Sequence, residues 1–214
     1  MTSALPELAA ASLLDRFASE WQAATHHAFL DAVADGSLPI QRFNAWLAQD
    51  YLFVADLLAF QAGLLARAPR AAQAVLAGGL VALEDELSWF EAHAAKRHLG
   101  LGVVREATTA RYQALLEGLG TAPYAAAITG LWAIERAYLD AWRGTLPGGP
   151  TYRDFVEHWT TSAFGEYVAG LERAADLALR SSDVDACERA STAFVEVALV
   201  EHAFWAMAWA ERST

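Results

Sequence analysis

AAITGLWAIERAYLDAW, residues 126–142, puts a charge where its own periodicity calls for an apolar side chain. At helical spacing Ile128, Leu131, Trp132, Glu135, Tyr138, Leu139 and Trp142 share one face, and Arg136, Asp140 and Arg143 fall on the other. The segment reads as an amphipathic helix whose inward face carries a carboxylate. An interior Glu is ordinarily held by an Arg or by backbone donors, because burying it charged and unpaired costs several kcal/mol. Taken alone, Glu135 would have that structural account.

It is not alone. The flanking segments also read as helices, and none alternates with period two long enough to make a strand. Downstream, past Gly144 and the Pro147-Gly148-Gly149-Pro150 loop, Thr151 to Arg180 turns Phe155, Trp159, Phe164, Tyr167, Val168 and Leu171 inward. A last helix, capped by Ser182 or Asp183, aligns Phe194, Val197, Ala198, Glu201, Phe204, Trp205 and Ala208, so Glu201 is a second acid in an apolar stripe. Upstream, Val103 to Leu119 sets Tyr112 beside Leu115, Leu116 and Leu119. Arg70 to His98, ended by Gly100 and Gly102, turns Leu80, Leu83, Leu87 and Phe90 inward. Glu86, Trp89 and His93 lie on an adjoining strip that is either a solvated face or an extension of the interior. Pro39 starts a long helix in which Ile40, Phe43, Leu47, Asp50, Val54, Leu57 and Gln61 form a stripe, which makes Asp50 a third inward acid. The chain opens with a helix from Pro6 to about Ala24 and a shorter one from about His26 to Ala34, stopped by Gly36.

These elements predict an all-α bundle formed as one domain over residues 1–214, since no Pro/Gly/Ser-rich linker divides the chain. Hydrophobic residues make up 55%, but the apolar runs are Ala-rich and shorter than the roughly 20 residues needed to span a bilayer, so no membrane association is expected. The first residues lack the basic segment of a signal peptide, and a single Cys permits no disulfide framework; both point to a reducing cytoplasm. A net charge of -11 with no cluster of Lys and Arg repels phosphate backbones, which excludes nucleic acid as a partner. The 8 Trp and the apolar content suggest a homo-oligomer covering part of its surface.

Three carboxylates on inward faces of three separate helices are best reconciled by a shared polar pocket. Among Tyr and Trp walls, desolvation and mutual repulsion push at least one carboxyl pKa upward, which suits a general acid or base near neutral pH. Candidate walls are Tyr51, Trp132, Tyr138 and Trp205, although an aromatic on a helix stripe is more often core than ligand wall.

LPIQRFNAWLAQDYLFVADL, ARYQALL, GLWAIERAYLDAW, HWTTSAFGEYVAGL and VEHAFWAMAW, in this order and spacing, resemble the TenA family, thiaminase II and its relatives. The likeness runs from about His27 to Trp209. It implies a heme-oxygenase-like helical bundle, a homodimer or homotetramer, holding the pyrimidine half of thiamin or of its breakdown products. No cofactor and no metal are expected, since the acids lack the His spacing that holds a catalytic ion. Carried over by motif, Asp50 would pair with the aminopyrimidine ring, Tyr112 would line the pocket and Glu201 would act as acid/base. Classical members carry a nucleophilic Cys where this chain has Gly130, and Cys187 stands far from it in sequence, in a charged DVDACERA turn. A second branch lacks that Cys and has WAIE, as here, with the Glu taking over. The resemblance to that branch shifts the expectation from cleavage of intact thiamin to hydrolysis of aminomethylpyrimidine, or its N-formyl derivative, to hydroxymethylpyrimidine in thiamin salvage. Glu135 and Glu201 are then the catalytic pair, Asp50 orients the ring, and Glu86 is a further candidate for substrate contact.

Two rival classes remain. A metal or heme oxygenase of the same fold could use Glu86, His93, Glu135, Glu201 and His202, but bundle di-metal sites want Glu-x-x-His pairs in register, and Glu201 and His202 are adjacent and point apart. A pyrimidine-binding module without catalysis would differ only in showing no turnover.

Overall fold

The computed structural model describes residues 8–210, and every regular element among them is a helix. The elements are α1 (Ser12–Arg16), α2 (Ala18–Thr25), α3 (Ala28–Asp35), α4 (Ile40–Ala66), α5 (Arg70–Lys96), α6 (Ala107–Thr121), α7 (Tyr124–Gly144), α8 (Arg153–Trp159), α9 (Ser162–Arg180) and α10 (Val184–Trp209). Pro6, the expected opener of the first helix, lies outside the described residues. No helix among the described residues is long and apolar enough to cross a membrane.

The helix made by the opening stretch is the centre of the bundle. α7 packs against α10 and α9 and also touches α2, α3, α4, α6 and α8. Every residue from Ala125 to Glu135 is buried, so the two-faced pattern read from the sequence holds only in the C-terminal half, where Arg136 and Asp140 pair at 2.8 Å. The small residues Ala125, Ala126, Ala127, Thr129, Gly130 and Ala133 make this possible, since they let helices approach from all sides.

Several boundaries moved, each for a local reason. The first helix is broken at Phe17 (φ -121°, ψ 42°), a bend that brings Phe17 and Trp21 onto Phe194 at 6.0 and 5.1 Å. The expected Thr151–Arg180 helix is two, because Thr161 caps α9 by accepting from the Phe164 amide at 3.2 Å while the Thr160 hydroxyl bonds back to Val156 O at 2.7 Å. α6 starts four residues later than the sequence suggested. The buried Gln49 amide captures the backbone ahead of it, donating to Val104 O at 2.9 Å and accepting from Glu106 N at 3.0 Å and Thr109 Oγ1 at 2.7 Å. α5 ends at Lys96, two residues short of the expected His98, and the terminator is a left-handed His98 (φ 53°) and not Gly100, with His98 N on Ala95 O at 3.2 Å and Leu99 N on Ala94 O at 2.9 Å. Gly36 closes α3 at φ 81° and Asp183 caps α10 through Ala186 N at 2.8 Å, both as expected.

Candidate functional site

Seven helices, α4 to α10, each send at least one polar or aromatic side chain to the same part of the interior. Asp50, Glu201 and Glu135 are buried, at 1%, 2% and 6% exposure. Glu86 is half-buried by area, yet its carboxyl end lies in the interior and accepts from the Trp159 indole at 2.7 Å. The strip on α5 that could have been a solvated face is therefore turned inward at this position. Asp50 and Glu135 each feel Glu86 and Glu201, so the four acids form one electrostatic unit.

Tyrosines supply the donors. Tyr112 donates to Glu201 Oε1 in a short hydrogen bond, and Tyr138 donates to Asp50 Oδ2 at 2.9 Å. Tyr167 donates to Gln61 Oε1 at 3.0 Å and also reaches Glu135. Asp50 Oδ1 and Glu135 Oε1 have no protein partner although both are buried. Buried polar atoms are paired in the great majority of cases, so two carboxyl oxygens left open in one cluster make it the candidate site.

The charge balance is one-sided. Burial pushes all four carboxyls up, with no cation among the groups that shift them. Glu135 is pushed up to about 8 by burial first and then by Glu86 and Glu201. Burial takes Glu86 and Glu201 to about 7, against the opposing hydrogen bonds from Trp159 and Tyr112. Asp50 is raised well above the usual carboxylate range, mainly by burial, with Glu86 adding. The Tyr112, Tyr138 and Tyr167 hydroxyls are likewise raised by burial and by the adjacent acids, and stay protonated.

A cage of rings borders the acids. Trp46, Trp142, Trp159, Trp205 and Tyr138 lie with centroids 4.4–6.4 Å apart. The Trp205 N–H is tied to Ala24 O at 2.9 Å, whereas those of Trp46 and Trp142 have no hydrogen-bond partner that meets standard geometry. Beyond Trp159, Trp89 stacks on His158 at 4.0 Å and 3° and meets His93 at 4.1 Å.

Two of the candidate walls lie elsewhere. Tyr51 points its hydroxyl to Glu91 at 2.9 Å near the surface and packs on Phe90, because it follows Asp50 directly and so falls about 100° round the helix. Trp132 stacks on Phe194 at 5.9 Å, in the separate aromatic group with Phe17 and Trp21, and is core. Conversely, Tyr167, Gln61, Trp159 and Trp46 belong to the cluster without having been singled out. In the sequence Trp159 and Tyr167 stand only as inward residues of one helix, and Gln61 only as the tail of a stripe.

A Cβ built at Gly130 would come 2.8 Å from Leu119 Cδ1, so the space beside that position is filled by α6. Cys187 is half-buried, with Sγ at 3.6 Å from Leu179 O, in a surface concavity of about 660 Å³ with Leu8, Ser12 and Arg16. Another concavity of about 560 Å³, between α6 and α10, is lined by Leu115, Leu119, Ala126, Arg189 and Val200. Neither is lined by any of the four acids, and it is the acid cluster, not either surface hollow, that has the equipment for chemistry. Among the described residues no three His, Cys, Asp or Glu side chains converge tightly enough to hold a metal ion.

The family model described as TENA/THI-4/PQQC matches residues 14–211. A Glycine max protein named "Probable bifunctional TENA-E protein" is 33% identical over 199 residues, covering 87% of each chain. An aminopyrimidine aminohydrolase of Halalkalibacterium halodurans is 25% identical over 219 residues, covering 95% of this chain and 96% of its own. Among solved structures, a TenA homologue from Pyrococcus furiosus superposes with a TM-score of 0.88 at 29% identity, over 92% of this chain and 98% of that one.

Proposed function

The chain belongs to the TENA/THI-4/PQQC family, and from that premise we propose that its acid cluster hydrolyses a thiamin-derived aminopyrimidine, aminomethylpyrimidine or its N-formyl derivative, to hydroxymethylpyrimidine. The observation that carries the reading is the pair of buried, partnerless carboxyl oxygens, Asp50 Oδ1 and Glu135 Oε1, beside a cage of four tryptophans. A flat ring with an exocyclic amine matches both halves of that arrangement, stacking on the indoles and donating to the carboxyls. The name of the Halalkalibacterium relative agrees with it.

Asp50, steadied by Tyr138, takes the ring nitrogen and amino group as a paired donor and acceptor and fixes the ring's orientation. Glu135, held protonated at neutral pH, gives its proton to the amine nitrogen as the methylene C–N bond breaks. Glu201, nearer neutrality and stabilised as a carboxylate by Tyr112, takes a proton from the water whose oxygen bonds to the methylene carbon. Water and amine go in; alcohol and ammonia come out. For the N-formyl derivative the same pair first opens the amide, releasing formate. Gly130 in place of a thiol, with α6 filling the space beside it, supports assignment to the branch that works without a nucleophilic Cys and argues against intact thiamin as substrate.

The test is steady-state kinetics with aminomethylpyrimidine for the wild type, Glu135→Gln and Asp50→Asn. Glu135→Gln keeps volume but cannot exchange a proton, and should lower kcat by about 10²–10⁴-fold with KM little changed. Asp50→Asn should worsen KM and kcat together. A Glu135→Gln enzyme that kept more than about a third of wild-type kcat would remove Glu135 from the chemistry; ligand binding without turnover in the wild type would make the protein a binding module.

A further inference from the structure

We propose that Gln61 and Tyr167 form a positioning relay that sets how tightly Glu135 holds its proton, a refinement that rests on the hydrolase reading above. The arrangement starts at Gly79 of α5, where a Cβ would collide with Gln61 Nε2 and with the Tyr167 ring and hydroxyl. The two side chains therefore lie against bare helix backbone, a fit available only to glycine. Gln61 has no solvent exposure, and its amide donates to Leu76 O at 2.8 Å, which fixes its nitrogen on that side and turns Oε1 towards Tyr167. Tyr167 donates to that oxygen at 3.0 Å, and the same hydroxyl lies beside Glu135 without making a standard hydrogen bond to it while it is given to Gln61.

A phenol has one proton and here it has two acceptors. While Glu135 is protonated, Tyr167 donates to Gln61 and its lone pairs are free to accept the carboxylic O–H. When Glu135 gives its proton away, the carboxylate becomes the stronger acceptor, and a rotation of the Tyr167 O–H transfers the hydrogen bond from Gln61 to Glu135. No bond is made or broken in the relay; only that O–H turns. Gln61 thus competes with the ionised acid for one donor, and the strength of that competition sets the acidity of Glu135.

The groups facing Glu135 are consistent with this role. Glu86 from α5 and Glu201 from α10 both favour its protonated form, and the Tyr112 hydroxyl from α6 also lies within its field. Tyr167, from α9, acts in the opposite sense and favours the ionised form. Tyr167 in turn faces only Glu135 and Gln61 among the groups that shift it, so a change at either end of the relay is read by the acid.

The two ends predict opposite signs. Tyr167→Phe removes the donor, so Glu135 holds its proton more tightly and the alkaline limb of kcat/KM moves to higher pH by about one unit, the scale of one charge-assisted hydrogen bond. Gln61→Met removes the competitor and frees Tyr167 for Glu135, so the limb moves to lower pH. KM should stay within about twofold in both, since neither residue is assigned to the ring. In parallel, the carboxyl infrared band lost in Glu135→Gln is titrated in the ligand-free proteins, which reads the same signs without turnover. Shifts in the same direction in the two variants, or no shift beyond about 0.2 pH units in folded protein, would overturn the relay and leave Gln61 and Tyr167 as packing. Absence of turnover in the wild type would instead overturn the hydrolase reading, while the infrared titration still decides the relay. Should either variant fail to fold, the sign in the other suffices.

Discussion

Replacing the acid at the centre of the cluster should make the protein more stable, and only above mild acidity. Glu135 in the folded protein titrates at about 8, raised from an ordinary value of 4.5 by burial, Glu86 and Glu201. Between those two values the folded state holds a proton that the unfolded chain has released. Stability from this group is thus fully present below pH 4.5 and is lost as pH rises through about 8. At about 1.4 kcal/mol per pH unit the interval sets an upper limit of about 5 kcal/mol, and relaxation of the site with entry of water brings the realised loss between pH 5 and pH 8 to about 2–3 kcal/mol. Glu135→Gln abolishes this term while keeping the shape. For a chain of this size, each kcal/mol moves Tm by about 2–4 °C, so the variant should gain roughly 5–10 °C on the wild type when both are taken from pH 5 to pH 8. The assay is thermal unfolding followed by circular dichroism at the two pH values, without ligand. A variant whose Tm relative to wild type is the same at pH 5 and pH 8 would refute the reasoning, and one less stable at both would show that Glu135 is paired structurally after all.

Three further outcomes can be checked directly. Cys187→Ser should leave turnover within about a factor of two, because Sγ contacts Leu179 O and none of the acids; loss of activity would expose a nucleophile assigned to the wrong residue. Gly79→Ala should cost about 1–3 kcal/mol by overpacking and lower kcat as well, since the Cβ meets the Gln61 and Tyr167 groups next to Glu135; full stability with full activity would contradict the close fit. Light scattering at micromolar concentration should give a multiple of 23.1 kDa, whereas a single species at 23.1 kDa would exclude self-association at that concentration.

Much of the bundle was legible because helix periodicity and the caps at Pro39, Gly36 and Asp183 are local signals. What escaped depends on partners far away in sequence. The late start of α6 is due to Gln49, more than fifty residues upstream, and nothing near Val103 announces it. Asp50, Glu135 and Glu201 stood out as charges in apolar stripes, and the structure brings them together. Glu86 was ambiguous because its stem is half exposed and only its tip turns in, a distinction that periodicity does not carry. Tyr51 and Trp132 were misplaced for the converse reason: a large aromatic beside an acid is adjacent in sequence without sharing its direction. The tryptophan count, which suggests a covered surface, is explained mostly inside the protomer, where Trp46, Trp132, Trp142, Trp159 and Trp205 are buried. The expectation of an oligomer then rests on the apolar content of the chain and on the family resemblance, not on the Trp total.

Because α4, α5, α6, α7, α8, α9 and α10 each contribute to the cluster, no fragment of the chain contains a miniature of it. A fragment without α10 has no Glu201, and one without α4 has neither Asp50 nor Gln61. Turnover is then an all-or-none gauge of the complete tertiary arrangement. Loss-of-function substitutions in a mutational library should scatter along the whole sequence instead of concentrating in one motif, and local opening of any of these seven helices should silence the enzyme before the bundle as a whole melts.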